Sequence, residues 1–154
     1  MKLSPGDMAP EFTLPRDGGG VVSLRGLFPK KVVLYFYPKD DTPGCTTEAL
    51  DFTRLADEFA AAATVVIGMS KDSVTAHDKF CRKHGLGIIL ASDDGSDTSE
   101  RYGVWGEKSM YGKTYLGIER TTFLIDGTGR IARIWPKVKV NGHAEEALDA
   151  ARAL

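Results

Sequence analysis

Seven consecutive residues, Lys31 to Tyr37 (KVVLYFY), constrain the fold of this chain most strongly. Every position after the lysine is β-branched, aliphatic or aromatic, with none of the apolar–polar alternation of a half-exposed strand. A continuous run of this kind reads as a central strand covered on both faces. Pro38 ends it, because proline has no N–H to give to a ladder. A strand buried on both sides needs a layer of structure above it and another below.

The remaining segments supply those layers. After Pro38 comes Lys39-Asp40-Asp41-Thr42-Pro43-Gly44-Cys45. Thr42 suits a helix N-cap, and Pro43 suits the first helical position, where a missing N–H loses no intrahelical bond. The helix is expected to run to about Ala62, with Phe52, Ala56, Phe59 and Ala63 at three- and four-residue steps and Leu55 beside them. Thr64 to Met69 (TVVIGM) reads as a second buried strand, and Ser73 to His84 as an amphipathic helix closed by Gly85. Ile88 to Ala91 is a short strand, and Ser96 to Tyr102 one or two helical turns. Thr121 to Asp126 (TTFLID) and Arg130 to Trp135 (RIARIW) flank the turn Asp126-Gly127-Thr128-Gly129, a hairpin signal, and His143 to Leu154 is a last helix. Ahead of all these, segments near Glu11 to Leu14 and Val21 to Leu24 meet around Gly18-Gly19-Gly20 as a small hairpin. The order β-α-β-α-β-β-α predicts a single domain over residues 1–154. Its class is α/β, a thioredoxin-like sandwich with a central mixed sheet, helices on both faces and an N-terminal β-hairpin extension.

Composition removes several functions. Hydrophobic residues are 42% and charged residues 27%, the balance of a globule rather than a disordered chain. The longest apolar stretch, Phe59 to Met69, has 11 residues, against roughly 20 for a membrane span. Twenty Lys and Arg against 21 Asp and Glu leave a net charge of −1, without the basic excess of a nucleic-acid binder. The densest basic cluster, Arg82-Lys83-His84 near Asp78, reads as a solvated helix face. Met1 to Asp7 lacks the apolar core of a secretory signal, so a cytoplasmic location is expected. The two cysteines, Cys45 and Cys81, lie 36 residues apart with no C-x-x-C and no Cys/His cluster. This excludes a conventional zinc site and a vicinal dithiol, and in a reducing compartment a permanent disulfide is not expected. His77, His84 and His143 have no partners at metal spacing and read as surface or satisfied histidines, so no metal is expected.

Cys45 is the residue with the most chemistry in its position. It falls in the first turn of a helix that follows a buried strand, where free N–H groups and the helix dipole favour an anion. A free thiol, with a pKa of ~8.5, is mostly protonated at neutral pH; helix N-termini and nearby cations bring thiols to roughly 3.5–7.5. Position alone leaves two readings, a reactive thiol or a small buried hydrophobe. Arg120 alone could be a surface ion pair with Glu119. Glu48, three residues past Cys45, could buttress a site or sit on the surface as an acid favoured by the dipole. Cys81 shares a helix face with Val74 and His77 and could be a core thiol. Trp105 and Trp135 read as core or pocket-rim packing.

Pro38-Lys39-Asp40-Asp41-Thr42-Pro43-Gly44-Cys45 matches the pattern Pro-x-x-x-Thr/Ser-x-x-Cys of peroxiredoxin active sites. The surrounding YPKDDTPGCTTEA resembles the bacterioferritin-comigratory-protein, or Q-type, branch. Tyr102 to Lys108, Gly112 to Arg120 and TTFLID resemble that branch too, from the Gly6-Asp7-Met8-Ala9-Pro10-Glu11-Phe12 opening almost to the last helix. The resemblance implies a thiol peroxidase acting on hydrogen peroxide or small organic hydroperoxides, monomeric, without metal, haem or flavin. Cys45 would attack the peroxide, Thr42 would hydrogen-bond it, and Arg120 would stabilise the thiolate and the leaving oxygen. Pro38 would shield the site, and the Gly44 and Cys45 amides would complete the donors. Many relatives carry a second cysteine five residues after the first; here that position is Leu50. Others carry it on the following helix, which implies Cys81 as the resolving thiol. The disulfide would be recycled by thioredoxin or a similar dithiol protein.

Overall fold

The computed structural model describes residues 2–154. Its centre is β3 (Lys31–Phe36), paired parallel with β4 (Thr64–Ser70) and antiparallel with β8 (Thr121–Ile125). β5 (Ile89–Ser92) extends the sheet beyond β4, and β9 (Ile131–Trp135) extends it beyond β8, giving the order β5-β4-β3-β8-β9. The sheet is mixed, as expected, and has five strands.

Both faces of β3 are buried, which is why its sequence does not alternate. Val33 and Tyr35 point into one core, and Val32, Leu34 and Phe36 into the other. The first core is closed by α1 (Pro43–Arg54), α2 (Ala56–Ala61), α3 (Val74–His84) and α5 (His143–Ala153). The second is closed by the hairpin of β1 (Thr13–Pro15) and β2 (Val21–Ser23), and by Tyr102 and Val104 after the short α4 (Thr98–Arg101). Helices thus lie on both faces, unevenly. Tyr102 bridges Phe36 and Phe123 at ring separations of 5.2 and 5.1 Å.

Three expectations change in detail. The single helix over 43–62 is two, because the ladder breaks at Leu55, which turns inward with Phe59. Ala63 belongs to no apolar face: it is exposed at φ +53°, in the turn that starts β4. Residues 105–118, without an element in the sequence reading, form a hairpin of β6 (Trp105–Met110) and β7 (Lys113–Ile118). Its turn places Tyr111 and Gly112 both at positive φ, as a type I′ turn requires. Tyr-Gly is a weak signal for that turn, because Asn-Gly and Asp-Gly dominate it. No helix among the described residues is long and apolar enough to cross a membrane.

Candidate active site

Tyr37 N–H still bonds to Met69 O, and the chain then leaves the sheet at Pro38. Asp41 takes a left-handed turn at φ +59° and α1 begins at Pro43. Cys45 is the third residue of α1 and only 2% exposed, with Ala49 and Phe52 continuing its buried face. Thr42 occupies the N-cap position, yet its hydroxyl caps no helical amide; it donates instead to Lys39 O at 2.8 Å. The expected Thr42 cap is therefore absent. The hydroxyl's lone pairs stay available, and the first-turn amides have no side-chain acceptor.

The β6–β7 hairpin returns the chain to the sheet at Arg120. Glu119 N–H bonds to Val104 O and Val138 N–H to Arg120 O, fixing the backbone on both sides. The guanidinium reaches over α1, with Nη2 3.4 Å from Cys45 Sγ and Nη1 2.6 Å from Glu48 Oε1. Its ion-pair partner is Glu48, 1% exposed, rather than Glu119. A Cβ on Gly44 would come within 3.2 Å of Nη2, so a side chain there would press on the guanidinium. Burial works against the charge of Arg120, but Glu48 and Cys45 outweigh it and raise its pKa. Burial pushes the Glu48 carboxyl up to about 7, against the pull of Arg120.

The loop before Cys45 is tied to α3. His77 is fully buried, with Nδ1 2.6 Å from Asp40 Oδ2 and Nε2 3.0 Å from Ala91 O. A carbonyl and a carboxylate only accept, so the protonated imidazole, which donates from both ring nitrogens, is the form that suits both partners. Burial alone would lower the His77 pKa; Asp40 outweighs it and raises it. Tyr37 OH also donates to Asp40, and Asp40 N–H to Asp72. Asp41 accepts from Lys83 Nζ at 2.7 Å and pairs with His84 Nε2 at 2.8 Å. The basic cluster is thus no freely solvated face: two of its three residues hold the loop. Between loop and helix lies a cleft of about 590 Å³, floored by Phe80.

Cys81 lies on α3, half-buried at the edge of the core that contains Cys45, and both thiols are free. Burial, followed by Asp17, pushes the Cys81 thiol up to about 12. Asp17 comes from the turn of the β1–β2 hairpin, which docks on β5 through Leu90 N–H to Asp17 Oδ1 at 2.9 Å.

A family model described as AhpC/TSA matches residues 5–134. The chain belongs to the AhpC/TSA family. It is 49% identical over 148 residues to the peroxiredoxin Bcp of Bacillus subtilis, covering 96% of this chain and 94% of that one. It superposes on a Xylella fastidiosa PrxQ mutant with a TM-score of 0.93, at 41% identity over 99% and 98% of the two chains. It also superposes on the Xanthomonas campestris bacterioferritin comigratory protein, with a TM-score of 0.87 at 46% identity over 92% and 90%. That protein was studied for its alkyl peroxide reduction activity. Within the family the chain is of the peroxiredoxin Bcp, or Q, type, and peroxiredoxins are thiol-dependent peroxidases.

Among the residues singled out in the sequence, Cys45, Gly44 and Arg120 meet in one place, with Thr42 at the start of the same helix. Pro38 is exposed on the loop ahead of them, and Cys81 stands apart on α3. Of the two readings of Glu48, the structure selects the buttress. His77 is a satisfied histidine, one of the two readings the sequence leaves for it; the tether it forms with Asp40, and Asp41 forms with Lys83 and His84, has as its only sequence signal the acidic pair inside the Pro-x-x-x-Thr pattern. His143 is buried and satisfied by Thr122 Oγ1 at 2.8 Å. Among the described residues no three of His, Cys, Asp and Glu are grouped to hold a metal ion.

Proposed function

We propose that the chain reduces hydrogen peroxide and small organic hydroperoxides by a two-cysteine cycle, with Cys45 as the attacking thiolate and Cys81 as the resolving thiol. The observation that carries this reading is the guanidinium of Arg120 on the sulfur of a buried cysteine at a helix start. The thiolate attacks one peroxide oxygen in line with the O–O bond. A sulfenic acid forms on Cys45, and water or an alcohol leaves once its oxygen has gained a proton. Charge builds on the departing oxygen, and preorganised donors aimed there lower the barrier by several kcal/mol. Arg120 and the Gly44 and Cys45 amides are those donors, the Thr42 hydroxyl accepts from the peroxide O–H through its free lone pairs, and Pro38 screens them from water.

Cys81 then condenses with the sulfenic acid, releasing water and forming a disulfide, which a thioredoxin-like dithiol reduces by exchange. A disulfide needs Cα atoms within about 7 Å, and the two thiols sit on different helices. In this cycle the first turn of α1, the end of α3, or both open to bring the sulfurs together. The enzyme acts as a monomer in the cytoplasm.

The test is one equivalent of hydrogen peroxide followed by non-reducing peptide mapping. The reading predicts a peptide pair joined through Cys45 and Cys81, and no reaction in Cys45→Ser. A lasting sulfenic acid on Cys45 without that pair would assign the resolving role to an external thiol. Steady turnover with peroxide and thioredoxin separates an enzyme from a protein that only relays oxidation to a partner.

A further inference from the structure

Cys45 and Glu48 share one cation. Arg120 gives Nη1 to Glu48 Oε1 at 2.6 Å and Nη2 to Cys45 Sγ at 3.4 Å. The other groups facing Glu48 add no positive charge. Asp51 on α1 is a second acid, and Tyr35 on β3 is a neutral phenol whose own pKa is raised, by burial first and by Glu48 next. His143 on α5 lies near Arg120, but burial lowers its pKa and it stays neutral, bonded to Thr122. With both acids ionised, two anions would stand against one guanidinium in a nearly water-free site, and burial opposes an unpaired charge. One guanidinium can neutralise only one anion here, so attack by a Cys45 thiolate calls for a proton on Glu48.

One atom is placed to carry that proton. Glu48 Oε1 is occupied by Arg120, while Glu48 Oε2 is buried and has no hydrogen-bond partner. A bare carboxylate oxygen in that position would lack any donor; a carboxylic acid presents an O–H there. We propose that Glu48 Oε2 holds the proton given up by Cys45 and delivers it, directly or through one water, to the leaving oxygen of the peroxide. In the step, the Cys45 thiolate, neutral Glu48 and ROOH become the Cys45 sulfenic acid, ionised Glu48 and ROH. The S–O bond forms, the O–O bond breaks, and its electron pair leaves with the oxygen that takes the proton. The sulfur is oxidised and the peroxide reduced. As sulfur loses its charge, Arg120 is left to Glu48 alone, so delivery of the proton follows consumption of the thiolate. The upward push of burial on the Glu48 carboxyl, to about 7, agrees with this placement.

The inference rests on the peroxidase reading, and the test separates the two. Glu48→Gln keeps an oxygen for Arg120 but has no proton to give. Oxidation of Cys45 by hydrogen peroxide, whose leaving group needs a proton, should slow by about 10²-fold, within the range for loss of a general acid. Oxidation by peracetic acid, which releases acetate, and alkylation by iodoacetamide should change little. Equal slowing with both peroxides would mean that Glu48 only positions Arg120, and no slowing would mean that it is idle; either overturns the inference. In the wild type, which needs no variant to fold, the hydrogen peroxide rate should fall above pH about 7, while the alkylation rate does not. Parallel profiles would overturn it as well. Oxidation that persists in Cys45→Ser would instead overturn the peroxidase reading itself.

Discussion

Cys45 and Cys81 border the same core, and their surroundings differ in sign. Cys45 stands at the start of α1 with a guanidinium 3.4 Å from its sulfur. Cys81 lies near the end of α3, where the helix dipole is negative, and the charged groups that act on it are Asp17, Asp40 and Asp78. One thiol has a cation beside it, and the other has only carboxylates acting on it. Burial is therefore no guide to thiol reactivity in this fold; the more buried sulfur is the one with the cation. In the proposed cycle the contrast sets the order: the second thiol would attack only once α3 carries it away from those carboxylates.

The largest test of the contrast removes its active member. Cys45→Ser should lose all peroxide consumption while the circular dichroism spectrum stays unchanged, and more than trace turnover would move the nucleophile elsewhere. Removing the cation is the next step down. Arg120→Met should slow oxidation of Cys45 by roughly 10²–10³, the scale for one preorganised donor, and should slow iodoacetamide alkylation of Cys45 at neutral pH. Equal rates in the two proteins would remove Arg120 from the chemistry.

A smaller effect comes from the opposite side. Asp17→Asn keeps an oxygen for Leu90 N–H but removes a carboxylate acting on Cys81. Alkylation of Cys81 at pH 8–9 should rise about tenfold, which corresponds to one pKa unit, while Cys45 is unaffected. Unchanged labelling would leave burial as the whole cause.

The smallest effect concerns the link between the regions. The His77 pKa is raised in the folded state. Its pairing with Asp40 therefore contributes fully below the unfolded histidine value of about 6.5 and is lost as pH rises through the folded value. Amide protection at residues 39–45 and 74–84, corrected for intrinsic exchange, should decline over that range while β3 and β4 stay protected. His77→Gln should abolish the pH dependence; if it persists there, another group controls the docking of α3.

Much of this was legible in residue pattern, because the decisive signals are local. The unbroken apolar run of β3, the Thr-Pro start of α1, and Ser73 and Gly85 around α3 each act through their own backbone. What stayed hidden depends on groups that meet from distant parts of the chain. Glu48 is an ordinary helix acid until Arg120, just ahead of β8 and 72 residues away, is brought over it. Asp41 and Lys83 are ordinary surface charges until the loop and α3 meet across 42 residues. The break at Leu55 has no glycine or proline to announce it. The Tyr111-Gly112 turn is of a kind that sequence preference marks poorly.

The central claim is that opposite local charge sets one thiol to attack and the other to wait. Competitive labelling of the reduced protein with a limiting amount of iodoacetamide at pH 6–9, read by peptide mass, tests it directly. The account predicts that Cys45 takes nearly all the label across this range and that Cys81 takes it only when the protein is unfolded in urea. Equal labelling of the two in the folded protein, or preference for Cys81, would contradict it.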